Sequence, residues 1–316
     1  LFRSIYGARA AMIAGCASTS NVLAGKMFDV PISGTHAHAW VMSFNSEYEA
    51  FKAYADMYPD ACLLLVDTYD TLHSGVPNAI KVFKELRAAG HEPIGIRLDS
   101  GDLSYLSQEA RKMLDAAGFE KAIICASGDI DETVLMSLNA QDAKIDTYGI
   151  GTKLITSMDC PSLGGVYKMA AIEENGTLVP KLKMSDTPGK ITNPGFKKIV
   201  RIYDKHSNKA LADLICLQEE SFDGLDEIEI FDPNFTYKRK TISDFYVKEL
   251  TTLIISKGEL VYKLPTVMEI AAYHKEAYNE FWNEYKRLLN PHIYKVDLSQ
   301  KLYDMKQGLL KAYSKN

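Results

Sequence analysis

The segment Ala61-Cys62-Leu63-Leu64-Leu65-Val66-Asp67-Thr68-Tyr69-Asp70 decides the fold of the N-terminal part of the chain. It opens as a continuous apolar run, the pattern of a β-strand buried on both faces, and closes as a polar loop. A helical pattern follows over about 75–89. The same order then returns along the chain. Residues 93–98 read as a strand, Asp99-Ser100-Gly101-Asp102 as its terminal loop and 103–117 as an amphipathic helix. Residues 122–126 read as a strand, Ser127-Gly128-Asp129 as a loop and 131–139 as a helix; a strand over 147–150 leads into Gly151-Thr152-Lys153. Strand, polar loop and helix in alternation imply parallel strands joined by right-handed crossovers. The expected fold class is therefore α/β. In a barrel the polar loops converge on the face formed by the C-terminal strand ends, where such folds place active sites. An open doubly wound sheet, its loops meeting at a switch point, is the competing architecture.

Upstream lies Val30-Pro31-Ile32-Ser33-Gly34-Thr35-His36-Ala37-His38-Ala39-Trp40. A short β-branched run, expected as a strand over 30–33, meets a Gly-Thr turn, and two histidines precede a helical pattern over 39–57, broken near Asn45-Ser46. Small and apolar residues at helical spacing occupy 5–26, interrupted at 17–21. Trp40, Phe44, Tyr48 and Phe51 read as core residues. After about Gly164 the texture changes: 166–172, 181–184, 197–203 and 212–217 read as β-strands between Gly, Asn and Pro turns. The acidic-then-basic stretch 218–240 is expected at the surface. Residues 265–289 read as one amphipathic helix opened by Pro265-Thr266, with Glu276, Glu280 and Lys286 on its wet side, and 297–313 as another. A boundary near 190 gives an α/β core at 1–190 and a β-rich and helical region at 191–316.

The bulk properties exclude several classes. With 316 residues the chain is long enough for a large core plus a smaller domain, and a net charge of −5 gives no sign of nucleic-acid binding. No apolar stretch reaches the ~18–20 residues of a membrane span. The five cysteines are widely spaced and lack zinc-type pairing, which fits free thiols in a reducing, cytoplasmic setting, and no metal-ligating set of side chains is expected.

The strand-end loops suggest the chemistry. A histidine behind the Gly34-Thr35 turn, at a helix start, suits a general base, a metal ligand or a phosphoryl acceptor; a pair of solvent-facing turn histidines is the plainer alternative. Asp67 reads either as a helix cap or as the carboxylate that orients a nearby imidazole. Arg97, inside an apolar strand, needs a partner, which an anionic substrate or a neighbouring carboxylate would supply. Asp99-Ser100-Gly101-Asp102 offers carboxylates for ribose hydroxyls or a metal, or a helix N-cap. Ser127-Gly128-Asp129 and Gly149-Ile150-Gly151-Thr152 read as phosphate cradles, because glycine lets a ligand approach the backbone amides. Together these features describe a phosphate-handling α/β protein with one or two reactive histidines.

In their order the motifs resemble the nicotinate phosphoribosyltransferase family. The stretches that carry the likeness are Thr19-Ser20-Asn21-Val22-Leu23-Ala24-Gly25, Val30 to His38, Leu65-Val66-Asp67-Thr68-Tyr69-Asp70-Thr71-Leu72, Gly75-Val76-Pro77-Asn78-Ala79-Ile80, Gly95 to Asp102, Tyr148 to Thr152 and Leu163-Gly164-Gly165-Val166-Tyr167-Lys168. The resemblance implies an irregular, TIM-like α/β barrel with a β-rich region and C-terminal helices, working as a homodimer. It implies a reaction joining nicotinate to phosphoribosyl pyrophosphate, driven by ATP through a phosphohistidine, with Mg²⁺ accompanying the phosphates. By position His38 corresponds to the phosphorylated histidine and Asp67 to the carboxylate that orients it, while His36 falls at a variable position, as a pocket wall or surface residue. Thr35 and Arg97 correspond to nicotinate contacts, Asp99 and Asp129 to ribose-side carboxylates, and Gly128, Gly149, Gly151 and Thr152 to donors around the 5′-phosphate. Two departures accompany the likeness: Ala39 stands where relatives often carry Ser, and the family's N-terminal domain, with its Arg-rich segment, is expected to lie outside this chain. Nicotinamide phosphoribosyltransferase, or a truncated non-catalytic remnant that binds such ligands, are the alternatives.

Overall fold

The computed structural model describes residues 2–314 and divides into two compact units, Leu1–Leu163 and Gly164–Asn316. The first unit is mixed α/β. Its sheet has four parallel strands, β1 (Leu63–Leu65), β2 (Gly95–Leu98), β3 (Ile123–Gly128) and β4 (Thr147–Ile150), in the order β1-β2-β3-β4. The helices are α1 (Phe2–Ala14), α2 (Val22–Phe28), α3 (His38–Met42), α4 (Glu47–Met57), α5 (Val76–Ala88), α6 (Leu103–Ala116), α7 (Glu132–Ala140) and the short α8 (Thr152–Thr156). Helices α5, α6 and α7 are the crossovers that the alternating pattern requires.

Local chemistry sets the breaks. Ser46 accepts the Glu49 N–H and caps α4, which explains the interruption near Asn45-Ser46. Asp102 and Asp131 cap α6 and α7 by accepting the N–H groups of Tyr105 and Val134, so part of the acidic loop chemistry is structural. The strand expected over 30–33 is reduced to one isolated parallel bridge between Thr19 and Ile32. Pro31 has no N–H to give to a ladder, and its carbonyl accepts from Thr19 instead, at 3.0 Å.

Register places one buried residue from each of three neighbouring strands side by side: Leu64 faces Ile96, and Ile96 faces Ile124. Phe51, Phe83, Leu114 and Phe119 complete this core, with Trp40, Phe44 and Tyr48 packed against it. Cys62 is buried here as a free thiol, and burial pushes it up to about 12. Close backbone approach imposes glycine at two points. A Cβ on Gly75, which ends a single π-helical turn at Thr71–Gly75, would lie 1.8 Å from the Val66 carbonyl oxygen. One on Gly95 would lie 1.9 Å from that of Ile123.

The second unit is β-rich. Its main sheet orders as β11-β7-β8-β14, from β7 (Lys197–Asp204), β8 (Ala210–Leu217), β11 (Phe245–Glu249) and β14 (Val296–Leu298); β14 lies parallel to β8 and the other pairs are antiparallel. The hairpins β5 (Ala171–Glu174) with β6 (Thr177–Pro180), β9 (Glu227–Phe231) with β10 (Arg239–Ser243), and β12 (Ile255–Ser256) with β13 (Glu259–Leu260) surround it in sequence, with helices α9 (Val267–Asn279) and α10 (Gln300–Tyr313). Residues 164–195 belong to this unit rather than to a core ending near 190. The Ala170 carbonyl accepts the N–H groups of both Lys181 and Gly195, which ties the β5–β6 segment to the start of β7.

The strands expected over 166–172 and 181–184 form instead as β5 and β6, displaced toward the Asn175-Gly176 turn between them. The stretch 218–240 is not simply surface. Its Glu227-Ile228-Glu229-Ile230 alternation forms β9, with Ile228, Ile230 and Phe231 buried. The helix opened by Thr266, which forms a capping box with Glu269, ends at Asn279. Glu280 is not on a wet face: it accepts the Tyr203 hydroxyl at 2.6 Å and lies 3.7 Å from Arg201, itself paired with Asp213 through two hydrogen bonds.

Gly95→Ala is expected to destabilise the first unit by about 3 kcal/mol or more, because the added methyl meets backbone that cannot rotate away. Urea unfolding followed by circular dichroism measures the loss.

Candidate active site

The C-terminal ends of β1 to β4 and the loop before α3 gather most of the candidate residues. Asp67 follows β1, Asp99 follows β2, Gly128 closes β3, and Gly149 lies in β4. Parallel pairing sets Ser127 opposite Gly149 and Gly128 opposite Ile150. His38 is the first residue of α3, so its imidazole stands at a helix start, as the sequence indicated.

The Asp67 side chain is only 2% exposed. Its Oδ2 accepts the Asp99 N–H at 2.8 Å and the Ser100 hydroxyl at 2.7 Å, and its Oδ1 is buried with no hydrogen-bond partner. The nearest cationic candidate is His38, whose Nε2 lies 4.0 Å from that Oδ1 and 3.7 Å from Asp99 Oδ2. His38 Nδ1 is 3.0 Å from the Thr68 hydroxyl. Two carboxylates on the Nε2 side favour a proton there, and Thr68 then donates to Nδ1. The sequence singled out neither Thr68 nor Ser100, and read Ser127 only as part of a phosphate cradle. Their common signal is a hydroxyl at or just beyond the C-terminal end of a strand.

Arg97 does find the partners its burial demands. One guanidinium nitrogen donates to the Thr35 hydroxyl, and another lies 3.5 Å from Asp99 Oδ1; Nε is buried without a partner. Asp99 also accepts the Ser127 hydroxyl. Thr35, Arg97, Asp99, Asp67 and His38 thus form one connected constellation. Asp129 is exposed, as are Gly128, Gly149, Gly151 and Thr152, and none of these side chains hydrogen-bonds or ion-pairs with the constellation. The cradle residues sit beside it at the ends of β3 and β4. Apart from the adjoining residues, no described residue comes within 4 Å of where a Cβ on Gly34 or Gly151 would sit, so the space next to both backbones is open. Gly128 has φ +120°, and a Cβ there would approach the Asp99 carbonyl oxygen at 3.0 Å. Lys153 pairs with the α7 cap Asp131, which joins the loops after β3 and β4 and holds the Asp131 carboxyl below its usual range.

His36 is neither a surface residue nor an open pocket wall. It is buried, edge-on to the Tyr54 ring at 4.7 Å, and its Nε2 accepts the Leu65 N–H at 3.2 Å. Burial lowers its pKa from 6.5 to about 4, with the charges of Arg97 and His38 acting in the same sense and the Ala37 backbone opposing. The folded chain therefore holds it neutral where the unfolded chain binds a proton. Its contribution to stability is complete above pH 6.5 and is lost as the pH falls toward 4, by on the order of 2–3 kcal/mol. In His36→Gln the decline between those pH values is expected to be shallower, as urea titrations at stepped pH would read.

Comparison with known proteins identifies the family. Residues 8–218 match the nicotinate phosphoribosyltransferase (NAPRTase) family, and residues 196–306 match the nicotinate phosphoribosyltransferase C-terminal domain. The Bacillus subtilis nicotinate phosphoribosyltransferase is 49% identical over 303 residues, covering 96% of this chain and 61% of the relative. The human protein of that name is 31% identical, with 96% of this chain and 65% of the relative covered. The crystal structure of human nicotinic acid phosphoribosyltransferase superposes with a TM-score of 0.78 at 28% identity, over 96% of this chain and 66% of that one. A nicotinate-nucleotide pyrophosphorylase structure from Pyrococcus furiosus shares the fold at a TM-score of 0.57 and 23% identity. The chain thus spans a little under two thirds of the length of these relatives. On the match over residues 8–218 and these identities, it belongs to the nicotinate phosphoribosyltransferase family.

Proposed function

We propose that this chain carries the catalytic core of an enzyme that joins nicotinate to phosphoribosyl pyrophosphate, giving nicotinate mononucleotide and pyrophosphate in NAD salvage, with ATP hydrolysis. The observation that carries the reading is the constellation at the strand ends. A guanidinium held by Thr35 and Asp99 stands next to an imidazole flanked by two carboxylates. A fixed cation suits a carboxylate-bearing base, and Arg97 has an Nε still without a partner. This favours nicotinate over its uncharged amide, nicotinamide. The relatives' names point the same way.

In this reading the nicotinate ring nitrogen attacks the anomeric carbon of the ribose as the bond to pyrophosphate breaks. Charge at the ribose peaks in an oxocarbenium-like transition state, so the protein's part is positioning and electrostatics. Asp99 and Asp129 face the ribose side, and the backbone at Gly128, Gly149 and Gly151, with Thr152, receives the 5′-phosphate in the open space beside Gly151. His38 takes the γ-phosphoryl group of ATP, releasing ADP, and the Nε2 side gives up its proton toward Asp67 or Asp99. Later hydrolysis of the phosphohistidine returns imidazole and phosphate. The added charge would order the loops around pyrophosphate.

Mg²⁺ bound with the phosphates would neutralise part of their charge. Among the described residues no group of three or more His, Cys, Asp or Glu could hold a metal ion. The carboxylates at hand, Asp99 and Asp129, suit an ion held mainly by phosphate oxygens and water. Three further elements rest on the family likeness: closure of the parallel sheet into an irregular barrel, assembly as a homodimer, and a cytoplasmic location. The barrel also has support from the TM-score of 0.78. No helix among the described residues is long and apolar enough to cross a membrane.

The test is product formation by the full-length protein from nicotinate and phosphoribosyl pyrophosphate, with and without ATP and Mg²⁺. Wild type is expected to form nicotinate mononucleotide faster with ATP and to carry an acid-labile phosphoryl label. His38→Ala should lose both label and ATP stimulation while still binding ligands; a label that persists in this variant would assign the phosphoryl group elsewhere. Arg97→Lys should raise the KM for nicotinate by about tenfold or more, because an ammonium cannot reproduce the guanidinium's geometry. An unchanged KM would remove Arg97 from the base site.

A further inference from the structure

His36 takes no part in the chemistry described above, yet it is a buried imidazole between two site residues, Thr35 and His38. Strand geometry explains what it does. Strand β1 is the first of the parallel sheet, with β2 on one side only among the described residues. The Val66 N–H reaches across to the Arg97 carbonyl at 3.1 Å. Successive backbone groups alternate in direction, so the Leu65 N–H points away from β2, into the open edge. No neighbouring strand accepts it there; His36 Nε2 does, at 3.2 Å.

An imidazole nitrogen that accepts carries no proton, so the hydrogen of the neutral ring is on Nδ1, which is buried, makes no well-formed hydrogen bond and has only the Ala37 backbone nearby. A leucine would pack against Tyr54 and Phe51 without that orphaned donor, but it would leave the Leu65 N–H with no acceptor. The charged and titratable groups around the ring are Arg97 and His38, with the Tyr54 ring packed on its edge. A protonated ring would turn a donor toward the Leu65 N–H and break the link.

We infer that His36 is a positioning residue, whose hydrogen bond to the Leu65 N–H locks the segment bearing Thr35 and His38 to the strand that presents Asp67. Leu65 is two residues before Asp67, and His36 is two before His38. One hydrogen bond therefore fixes the two short arms whose ends hold the imidazole Nε2 and the carboxylate Oδ1, 4.0 Å apart. The inference rests on the proposed function for its effect on rate, but not for its geometry.

The test compares wild type, His36→Leu and His36→Gln in the full-length protein, since a glutamine carbonyl can still accept the Leu65 N–H. His36→Leu is expected to lower kcat for nicotinate mononucleotide formation by about 10- to 100-fold, with the KM for nicotinate changed less than about threefold. His36→Gln is expected to recover most of that loss. In spectra of histidine-labelled protein the His38 ring signals should move in His36→Leu and return in His36→Gln, and exchange of the Leu65 amide should follow the same order. Should His36→Leu not fold, His36→Asn, whose shorter amide falls short of Leu65, takes its place. A kcat within about twofold of wild type in the acceptor-less variant, or equal impairment in both variants, would overturn the inference. If the wild-type protein forms no nicotinate mononucleotide, the functional reading fails by itself. The positioning role is then judged on the His38 signals, and signals unmoved in His36→Leu would overturn it.

Discussion

The site depends on how Asp67 is held. Its carboxylate is almost wholly out of water, and a buried carboxylate must find hydrogen bonds or lose its charge. One oxygen is engaged by the Asp99 N–H and the Ser100 hydroxyl, so the end of β1 is fastened to the loop after β2. The other oxygen is left facing His38. The loop after β2 therefore cannot move without stranding the Asp67 charge, and Asp99, at the start of that loop, is held in place to bridge Arg97, Ser127 and the imidazole. The connections run through side chains at strand ends, and the strands supply the rigidity. Gly75 lets the turn before α5 approach Val66, just beyond the end of β1, while Gly95 lets β2 approach β3 where both strands begin.

The constellation is also electrostatically frustrated in a useful way. Asp67 Oδ1 and Arg97 Nε are both buried polar atoms without a partner, within one small network. In a chain built only for stability such atoms are exceptions that cost free energy. Here Arg97 Nε is a donor that a carboxylate-bearing base could engage, and Asp67 Oδ1 is an acceptor turned toward the His38 imidazole. A carboxylate that accepted from Arg97 Nε would be bound partly through a group without a partner in the chain.

Much of this was legible in the sequence. The apolar run at 61–66, followed by Asp67, signals a buried strand ending at a polar loop, and its repetition fixes a parallel sheet and the face on which the loops meet. The break at Ser46 and the start of α9 at Thr266 were readable because capping is local chemistry. The misreadings have a common physical origin. Glu227-Ile228-Glu229-Ile230 alternates as a strand should, but its charge density reads as surface. Glu280 sits in a helical pattern, yet its partners, Tyr203 and Arg201, come from a distant strand. His36 is the clearest case: nothing in Gly34-Thr35-His36-Ala37-His38 indicates which imidazole turns inward, because its partner is the backbone of a strand edge that exists only after folding.

In the proposed function the ends of β1 to β4 form a single site for a carboxylate-bearing base and a phosphoribosyl group. A crystal structure of the full-length protein with nicotinate and a non-reactive phosphoribosyl pyrophosphate analogue tests it most directly. The nicotinate carboxylate is expected against the Arg97 guanidinium and the Thr35 hydroxyl, with the 5′-phosphate on the backbone between Gly128 and Thr152. Ligands bound away from these strand ends, with Arg97 still turned only to Thr35 and Asp99, would contradict it.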